Sequence, residues 1–147
     1  YKQKIVNSNS IKNPQIVNDI YMDSRFDHLK KIAIGNDSIF SEDIPNLTVM
    51  KQQLNSVVYE YMRKSRLLLM TSLFDSSPNV VYEALDCGCN VVMSQNVGNY
   101  SLMEKNMVCK DIYDAEEWKL KILEAVKHPV KQQILNYNLL EKMLSLV

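Results

Sequence analysis

Short apolar runs alternate along this chain with segments whose apolar residues recur at helical spacing. The runs LKKIAIG (29–35) and RLLLMTS (66–72) are typical of buried strands, and residues 54–62 between them have apolar side chains at i, i+3, i+4, i+7 and i+8. Continuously apolar strands are typical of parallel sheets covered by helices on both faces. The alternation therefore predicts an α/β protein with a Rossmann-like, doubly wound parallel sheet in a three-layer α/β/α sandwich.

Other segments continue this alternation from one end of the chain to the other. The remaining predicted strands are KQKIV (2–6), NLTVM (46–50) and NVVMS (90–94), and the remaining predicted helices span 14 to about 23, 78–87, a long segment from 114, and about 130 to 147. Glu117 lies three residues after Asp114, which is the spacing of a capping box. Pro129 separates the last two helices because proline cannot continue a helix.

The length and charge of the chain limit its organisation and its partners. Its 147 residues suit one domain, 1–147, rather than two. The 17 basic and 17 acidic residues balance, which argues against a general electrostatic surface for nucleic acid or an anionic membrane. No apolar run is long enough to cross a bilayer, and the three cysteines lack the spacing of common zinc or redox motifs. We therefore expect a cytoplasmic protein with reduced cysteines.

The strongest local signal is SLFDSSPNVVYEALDCGCNVVMSQ (72–95), in which a strand, an acidic loop, a helix and a second strand follow one another. Ligands of open parallel sheets bind at the carboxyl ends of the strands, where this loop lies. Ser77 is placed to cap the helix, and Pro78 suits its first position. The free backbone amides from Asn79 onward then favour an anion, with the helix dipole assisting.

Two carboxylates flank this helix start. Asp75 lies in the loop, and Glu83 shares a helix face with Asn79 and leans back toward the helix N-terminus. Because an ionised carboxylate only accepts hydrogen bonds, both suit hydroxyl groups better than a phosphate. Spacing alone leaves two interpretations open. One is a site for a phosphate flanked by hydroxyl-bearing groups, as in a nucleotide sugar, and the other is a turn residue beside a solvated helix carboxylate.

The same stretch resembles the donor-binding signature of the group 1 retaining glycosyltransferases, which have the GT-B fold. That signature has two acidic residues with seven residues between them, as Asp75 and Glu83 have here. The other matching positions are Ala84, Gly88, Val91, Val92, Ser94, Pro78 and Asn79. The likeness covers about residues 4 to 127. It implies the C-terminal, nucleotide-sugar-binding half of a two-domain hexosyltransferase, inactive alone, with a final helix at 130–147 that packs on a missing N-terminal domain.

The resemblance also implies roles for individual residues. Glu83 would bind the ribose hydroxyls of the donor. Asp75, near the transferred sugar, and Lys12, at the diphosphate, would be the catalytic residues. Further donor-binding candidates lie after predicted strands or at the helix start, and they are Gly35, Lys51, Gln53, Ser76, Ser77, Pro78, Asn79 and Val80. The implied substrate is a nucleoside diphosphate sugar such as UDP-glucose or GDP-mannose, and neither a metal nor another cofactor is expected.

Several positions depart from the family pattern. Ser76 stands at a glycine position and Asn90 at a proline position, while Asn7 and Ser8 stand where the family has an Arg that acts together with the Lys matched by Lys12. One missing cation weakens stabilisation of the leaving diphosphate by on the order of a few kcal/mol. The alternative is therefore a catalytically degenerate Rossmann-like binding or interaction module. A receiver-like signalling domain is disfavoured, because Asn7 and Ser8 do not supply its acidic cluster.

Overall fold

The computed structural model describes residues 13–35, 40, 43–75, 79–98 and 100–127. Its helices are α1 (Pro14–Tyr21), α2 (Asn55–Lys64), α3 (Asn79–Asp86) and α4 (Ala115–Lys127). Its strands are β1 (Lys31–Gly35), β2 (Leu47–Lys51), β3 (Leu67–Met70), β4 (Asn90–Ser94) and β5 (Val108–Cys109), and short 3₁₀ helices occupy Ser24–Phe26, Tyr100–Leu102 and Lys105–Met107. The strand predicted at 2–6 and the helix predicted from 130 lie outside these described residues.

All described strand pairs are parallel, as the sequence predicts. β1 pairs with β2 in one sheet, and β3, β4 and β5 lie in that order in a second sheet. Helices connect successive strands, with α2 between β2 and β3 and α3 between β3 and β4. Within the described ranges, β1 pairs only with β2 and β3 pairs only with β4, so each of them has one edge without a strand partner. Those two strands therefore each present an edge to the space between the sheets.

The core lies on both faces of β4, whose five residues are all buried. Val91 and Met93 pack on one face in a cluster that includes Val81, Ala84 and Leu85 of α3. Val92 points to the opposite face, because successive strand residues alternate. There it joins a second cluster, with Ile16 and Ile20 of α1 and Trp118 and Ile122 of α4. This arrangement has three layers, with α1 and α4 opposite α3, and it confirms the predicted α/β/α sandwich.

The strand predicted at 66–72 is shorter and less buried than expected. β3 covers Leu67–Met70, and its first three residues are only half-buried. The prediction of a fully buried strand was therefore wrong for this part of the sheet. The physical reason is that one edge of β3 borders a cavity rather than another described strand.

The N-terminus of α4 forms half of the predicted capping box. The Asp114 side chain accepts a hydrogen bond from the Glu117 amide at 3.1 Å. The Glu117 carboxylate does not return to the Asp114 amide, and accepts instead from the Lys110 and Asp111 amides at 2.7 and 3.1 Å. The Asp114 amide is already satisfied, because it donates to the Asp111 carbonyl in a turn. Among the described residues, no helix combines the length and hydropathy needed to span a membrane.

Candidate functional site

A cavity of about 610 Å³ lies between the two sheets. Its wall includes three consecutive residues of β1, Ile32–Ile34, and four consecutive residues of β3, Leu67–Met70. Because neighbouring strand residues point to opposite faces, consecutive lining residues mean that the cavity meets these strands at their edges. Part of the volume is therefore the space between two sheet edges, and only the remainder is a candidate ligand pocket.

The polar part of the cavity lies where strands end and helices begin. The polar residues that line this part follow β2, follow β3 or belong to the first two turns of α2 or α3, and they are Gln52, Gln53, Asn55, Thr71, Ser72, Asp75, Asn79 and Glu83. The carboxyl ends of parallel strands are the usual position of ligands in doubly wound sheets. The structure thus brings five of the predicted site residues to one cavity, since Val80 also lines it.

Asp75 is held by backbone contacts beyond the end of β3. It forms an isolated parallel bridge with Val97, and its carbonyl oxygen accepts a hydrogen bond from the Gly98 amide. Val97 is buried in the first core cluster, which anchors the segment that follows β4. The half-buried Asp75 is therefore attached to the core by its main chain while the residue lines the cavity.

Glu83 lies on the cavity side of α3. The opposite side of this helix, formed by Val81, Ala84 and Leu85, is buried against β4. The Glu83 side chain is half-buried, and its Oε1 accepts a hydrogen bond from the Tyr59 hydroxyl at 3.2 Å. The interpretation of Glu83 as a freely solvated helix carboxylate is therefore not supported.

Tyr59 is the functional candidate that the sequence analysis missed. It lies on α2, but the apolar pattern that predicts this helix uses positions 54, 57, 58, 61 and 62 and does not include position 59. Its partner Glu83 is 24 residues further along the chain. No spacing rule connects residues on two different helices, so only the packing of α2 against α3 could identify this pair.

The start of α3 is described from Asn79 onward. Asn79 is exposed and Val80 half-buried, and both line the cavity. The predicted cap and first-turn residues Ser76, Ser77 and Pro78 lie outside the described residues. The helix ends at Asp86, and Gly88 follows with φ of 85°, a left-handed conformation that glycine adopts without a steric penalty.

The remaining predicted donor-binding residues occupy different positions. Gly35 and Lys51 lie opposite each other at the ends of β1 and β2, and neither lines the cavity. Gln53 lines it, and its side-chain amide donates to the Lys51 carbonyl at 3.0 Å. Lys12 lies outside the described residues.

The described part of the cavity is acidic. Asp75 and Glu83 line it, and the described lining residues include no Lys, Arg or His. Arg25 is bound elsewhere, because its guanidinium donates to both Asp23 at 2.9 Å and Glu116 at 2.8 Å. A ligand that carries a diphosphate would therefore depend on backbone amides and on cations outside the described lining.

Two of the three cysteines are unsuited to act as nucleophiles or metal ligands. Cys89 and Cys109 are buried, and burial raises the pKa of each thiol to about 12. Both are therefore neutral thiols at physiological pH, whereas nucleophiles and metal ligands are thiolates. Among the described residues, no group of three His, Cys, Asp or Glu side chains is arranged to hold a metal ion.

The parallel strands, the helices on both faces and the polar cavity at the strand ends define a Rossmann-like α/β protein. The chain belongs to the family described as Glycosyl transferases group 1, whose profile matches residues 39–142, more than half of the sequence. This match confirms the resemblance found in the sequence. No curated protein matches the chain with significance.

Three solved structures show the same fold at low sequence identity. A trehalose-6-phosphate synthase studied with bisubstrate glycomimetics, in work on glycosyl transfer with retention, is 18% identical with a TM-score of 0.58 over 71% of this chain. The UDP-forming synthase from Burkholderia xenovorans is 16% identical, with a TM-score of 0.56 over 70%. The synthase from Burkholderia multivorans is 12% identical, with a TM-score of 0.66 over 90%. These matches confirm the Rossmann-like fold of a GT-B protein.

The chain is much shorter than these structural relatives. It covers 25%, 24% and 36% of their respective chains. The comparison therefore concerns one part of each synthase, and it assigns neither their substrates nor their complete reaction to this chain.

Proposed function

We propose that this chain is the nucleotide-sugar-binding half of a retaining glycosyltransferase that transfers a hexose from a nucleoside diphosphate sugar to an acceptor. The observation that carries the proposal is the convergence of Asp75, Asn79 and Glu83 on one cavity at the carboxyl ends of the strands. Family membership supports the reaction class, since the matched region, 39–142, includes these three residues.

The two carboxylates serve the hydroxyl groups of the donor. Glu83 lines the cavity while half-buried, so it accepts hydrogen bonds from ribose hydroxyls with less competition from water than an exposed carboxylate. Asp75, which precedes α3, accepts hydrogen bonds from hydroxyls of the transferred sugar. Neither carboxylate is a ligand for the phosphates, because like charges in one cavity repel.

The diphosphate lies at the N-terminus of α3. The backbone amides of Asn79 and Val80 belong to the first described turn of α3. Amides in the first turn of a helix have no carbonyl partner within it, so these two donate to phosphate oxygens. Lys12 supplies positive charge, and Ser76, Ser77 and Pro78 are further donor-binding residues. When the bond to the hexose breaks, charge develops on the leaving diphosphate, and these amides and the cation stabilise it.

Gln53, which lines the cavity after β2, flanks the base, and Lys51 and Gly35 lie at the adjacent strand ends. The complete reaction needs an acceptor site, which we place on an N-terminal domain outside this chain. The whole of residues 1–147 then forms one donor-binding domain, with 130–147 as a helix that packs on that partner domain.

Calorimetric titration of the 147-residue chain with UDP, GDP, ADP and UDP-glucose tests the proposal. UDP is the first probe, because one structurally similar synthase is described as UDP-forming. We expect one nucleotide to bind in the micromolar range, both with and without a chelator. Glu83→Ala should weaken the binding of this nucleotide at least tenfold, because a charged hydrogen-bond acceptor is lost. Asp86→Ala is the matched control, since Asp86 is an exposed carboxylate at the far end of the same helix.

A second candidate is a catalytically degenerate binding module of the same fold. The absence of a cation among the described lining residues favours it. If the folded chain binds none of the nucleotides, the donor-site proposal fails and the degenerate module is the better description. If Asp86→Ala weakens binding as much as Glu83→Ala does, the ligand is not at the proposed site.

A further inference from the structure

The carboxylate of Glu83 is held by a side chain from the neighbouring helix. Tyr59 lies in the middle of α2, and its hydroxyl donates to Glu83 Oε1 at 3.2 Å. Both side chains are half-buried, so the hydrogen bond is partly shielded from solvent. Tyr59 also packs against the first core cluster, which includes Met62 of its own helix and Leu85 of α3. Its ring is thereby fixed relative to α3.

The hydroxyl reaches Glu83 from outside the cavity. Glu83 lines the cavity, as do Val58, Tyr61 and Met62 of α2, whereas Tyr59 does not. The hydrogen bond involves Oε1, and Oε2 takes no part in it. One oxygen of the carboxylate is therefore attached to the protein scaffold, and this hydrogen bond does not occupy the other oxygen.

The chemistry of a phenol suits this task. A tyrosine hydroxyl is a neutral donor, so it orients the carboxylate without neutralising its charge, as an Arg or Lys would. The hydrogen bond to Glu83 raises the pKa of Tyr59, and the negative charge of Glu83 adds to this effect. Tyr59 therefore remains a protonated donor at physiological pH.

We propose that Tyr59 is a positioning residue for Glu83, holding Oε1 so that Oε2 faces the ribose hydroxyls of the donor. This inference rests on the proposed function of the cavity. It adds that the affinity for a nucleotide depends on α2, a helix whose described residues include none of the candidates found in the sequence.

Calorimetry of the 147-residue chain with the nucleoside diphosphate that it binds provides the test. We expect Tyr59→Phe, which keeps the ring and removes the hydroxyl, to weaken binding by about fivefold, the effect of one partly exposed hydrogen bond. Tyr113→Phe is the matched control, because Tyr113 is 75% exposed and should leave the affinity unchanged. Circular dichroism of each variant establishes that it is folded.

Two further measurements separate positioning from a merely structural effect. The same nucleotide without its 2′ and 3′ hydroxyls should bind wild type and Tyr59→Phe with equal affinity, since it has no ribose hydroxyl to donate a hydrogen bond to Glu83. In a Glu83→Gln background, Tyr59→Phe should cause no additional loss, because the two residues act as one unit. Weakening of the dideoxy nucleotide, or additive losses, would overturn the positioning role.

The failure of this inference differs from the failure of the proposed function. If wild type binds a nucleotide, Glu83→Ala abolishes binding and Tyr59→Phe binds normally, only the role of Tyr59 is wrong. If wild type binds none of the nucleotides, both proposals fall together.

Discussion

The two sheets of this protein are built from similar apolar strands but are buried very differently. In the three-stranded sheet, every residue of β4 is buried, with a helix layer on each face. In the two-stranded sheet, only Lys31 of β1 is buried, and β2 has no buried residue. Strand composition therefore does not decide burial. The position of a strand relative to the helices and to the cavity decides it.

This difference separates stability from function. The strands and helices around β4 form a packed core, where a change of volume has a large cost. The space between β1 and β3 contains the cavity, and its polar end carries Asp75 and Glu83. We expect substitutions in the first region to act on the free energy of unfolding, and those at the polar end of the cavity to act on ligand affinity.

The largest predicted effect tests the packed region. Trp118 is fully buried beside β4, and its indole nitrogen donates to the Ile112 carbonyl at 3.1 Å. Trp118→Ala removes a large side chain and leaves that carbonyl unpaired, so we expect a loss of about 4 kcal/mol in urea denaturation. Val49 in β2 is half-buried, so Val49→Ala should lower the free energy of unfolding by only about 1 kcal/mol. Equal losses at the two positions would show that the sheets do not differ in this way.

A second prediction concerns the contact between β1 and the segment that leads into β2. The buried ammonium of Lys31 donates to the Pro45 carbonyl at 2.9 Å, and burial lowers the pKa of this lysine. Lys31→Met keeps the length of the side chain and removes the donor, so we expect the free energy of unfolding, measured by urea denaturation, to fall by about 2 kcal/mol. Lys30→Met, at an exposed neighbouring position, is the control. Unchanged or higher stability of Lys31→Met would mean that the desolvation of the ammonium outweighs its hydrogen bond.

A third prediction concerns the connection between α3 and β4. Gly88 has φ of 85°, and the backbone there closes the helix with hydrogen bonds from Gly88 to Leu85 and from Cys89 to Ala84. Gly88→Ala adds a Cβ in a left-handed conformation and should cost about 1 kcal/mol, measured by thermal or urea unfolding. A neutral result would mean that this turn relaxes without disturbing the core.

The smallest predicted effect concerns charges that join the segment before β1 to α4. Arg25 binds Asp23 and Glu116, and Lys119 lies 3.1 Å from Asp23. The hydrogen bond from Arg25 is the main cause that lowers the pKa of Asp23, with Lys119 contributing. Because the folded-state pKa is depressed, this contribution is present at neutral pH and is lost as the pH falls below about 4, the value for an unfolded Asp.

Asp23→Asn tests that network, because Asn retains an acceptor for the Arg25 amide but carries no charge. We expect its Tm to be about 2 °C lower than wild type at pH 7, and the difference to shrink on acidification toward pH 2. Asp27→Asn, exposed in the same segment, is the control. A difference that is independent of pH would show that the side chain acts through packing rather than charge.

Much of the local structure follows from the sequence because it depends on nearby residues. β4 occupies 90–94 as predicted, and α3 and α4 lie within a residue or two of their predicted bounds. The burial of Val81, Ala84 and Leu85 follows from helical periodicity. The half-buried state of β3 does not, since a run such as RLLLM has the same composition whether its edge is paired with a strand or borders a cavity.

The candidate site divides in the same way. By itself, the sequence determines that Asp75, Asn79 and Glu83 surround the start of one helix after one strand, because their spacing is short and the backbone periodicity is regular. Only the tertiary structure decided that Gln53 shares their cavity while Lys51 and Gly35 do not, and that Tyr59 binds Glu83. The physical reason is that these contacts join separate elements, and side-chain packing, which no local pattern encodes, sets the distances between them.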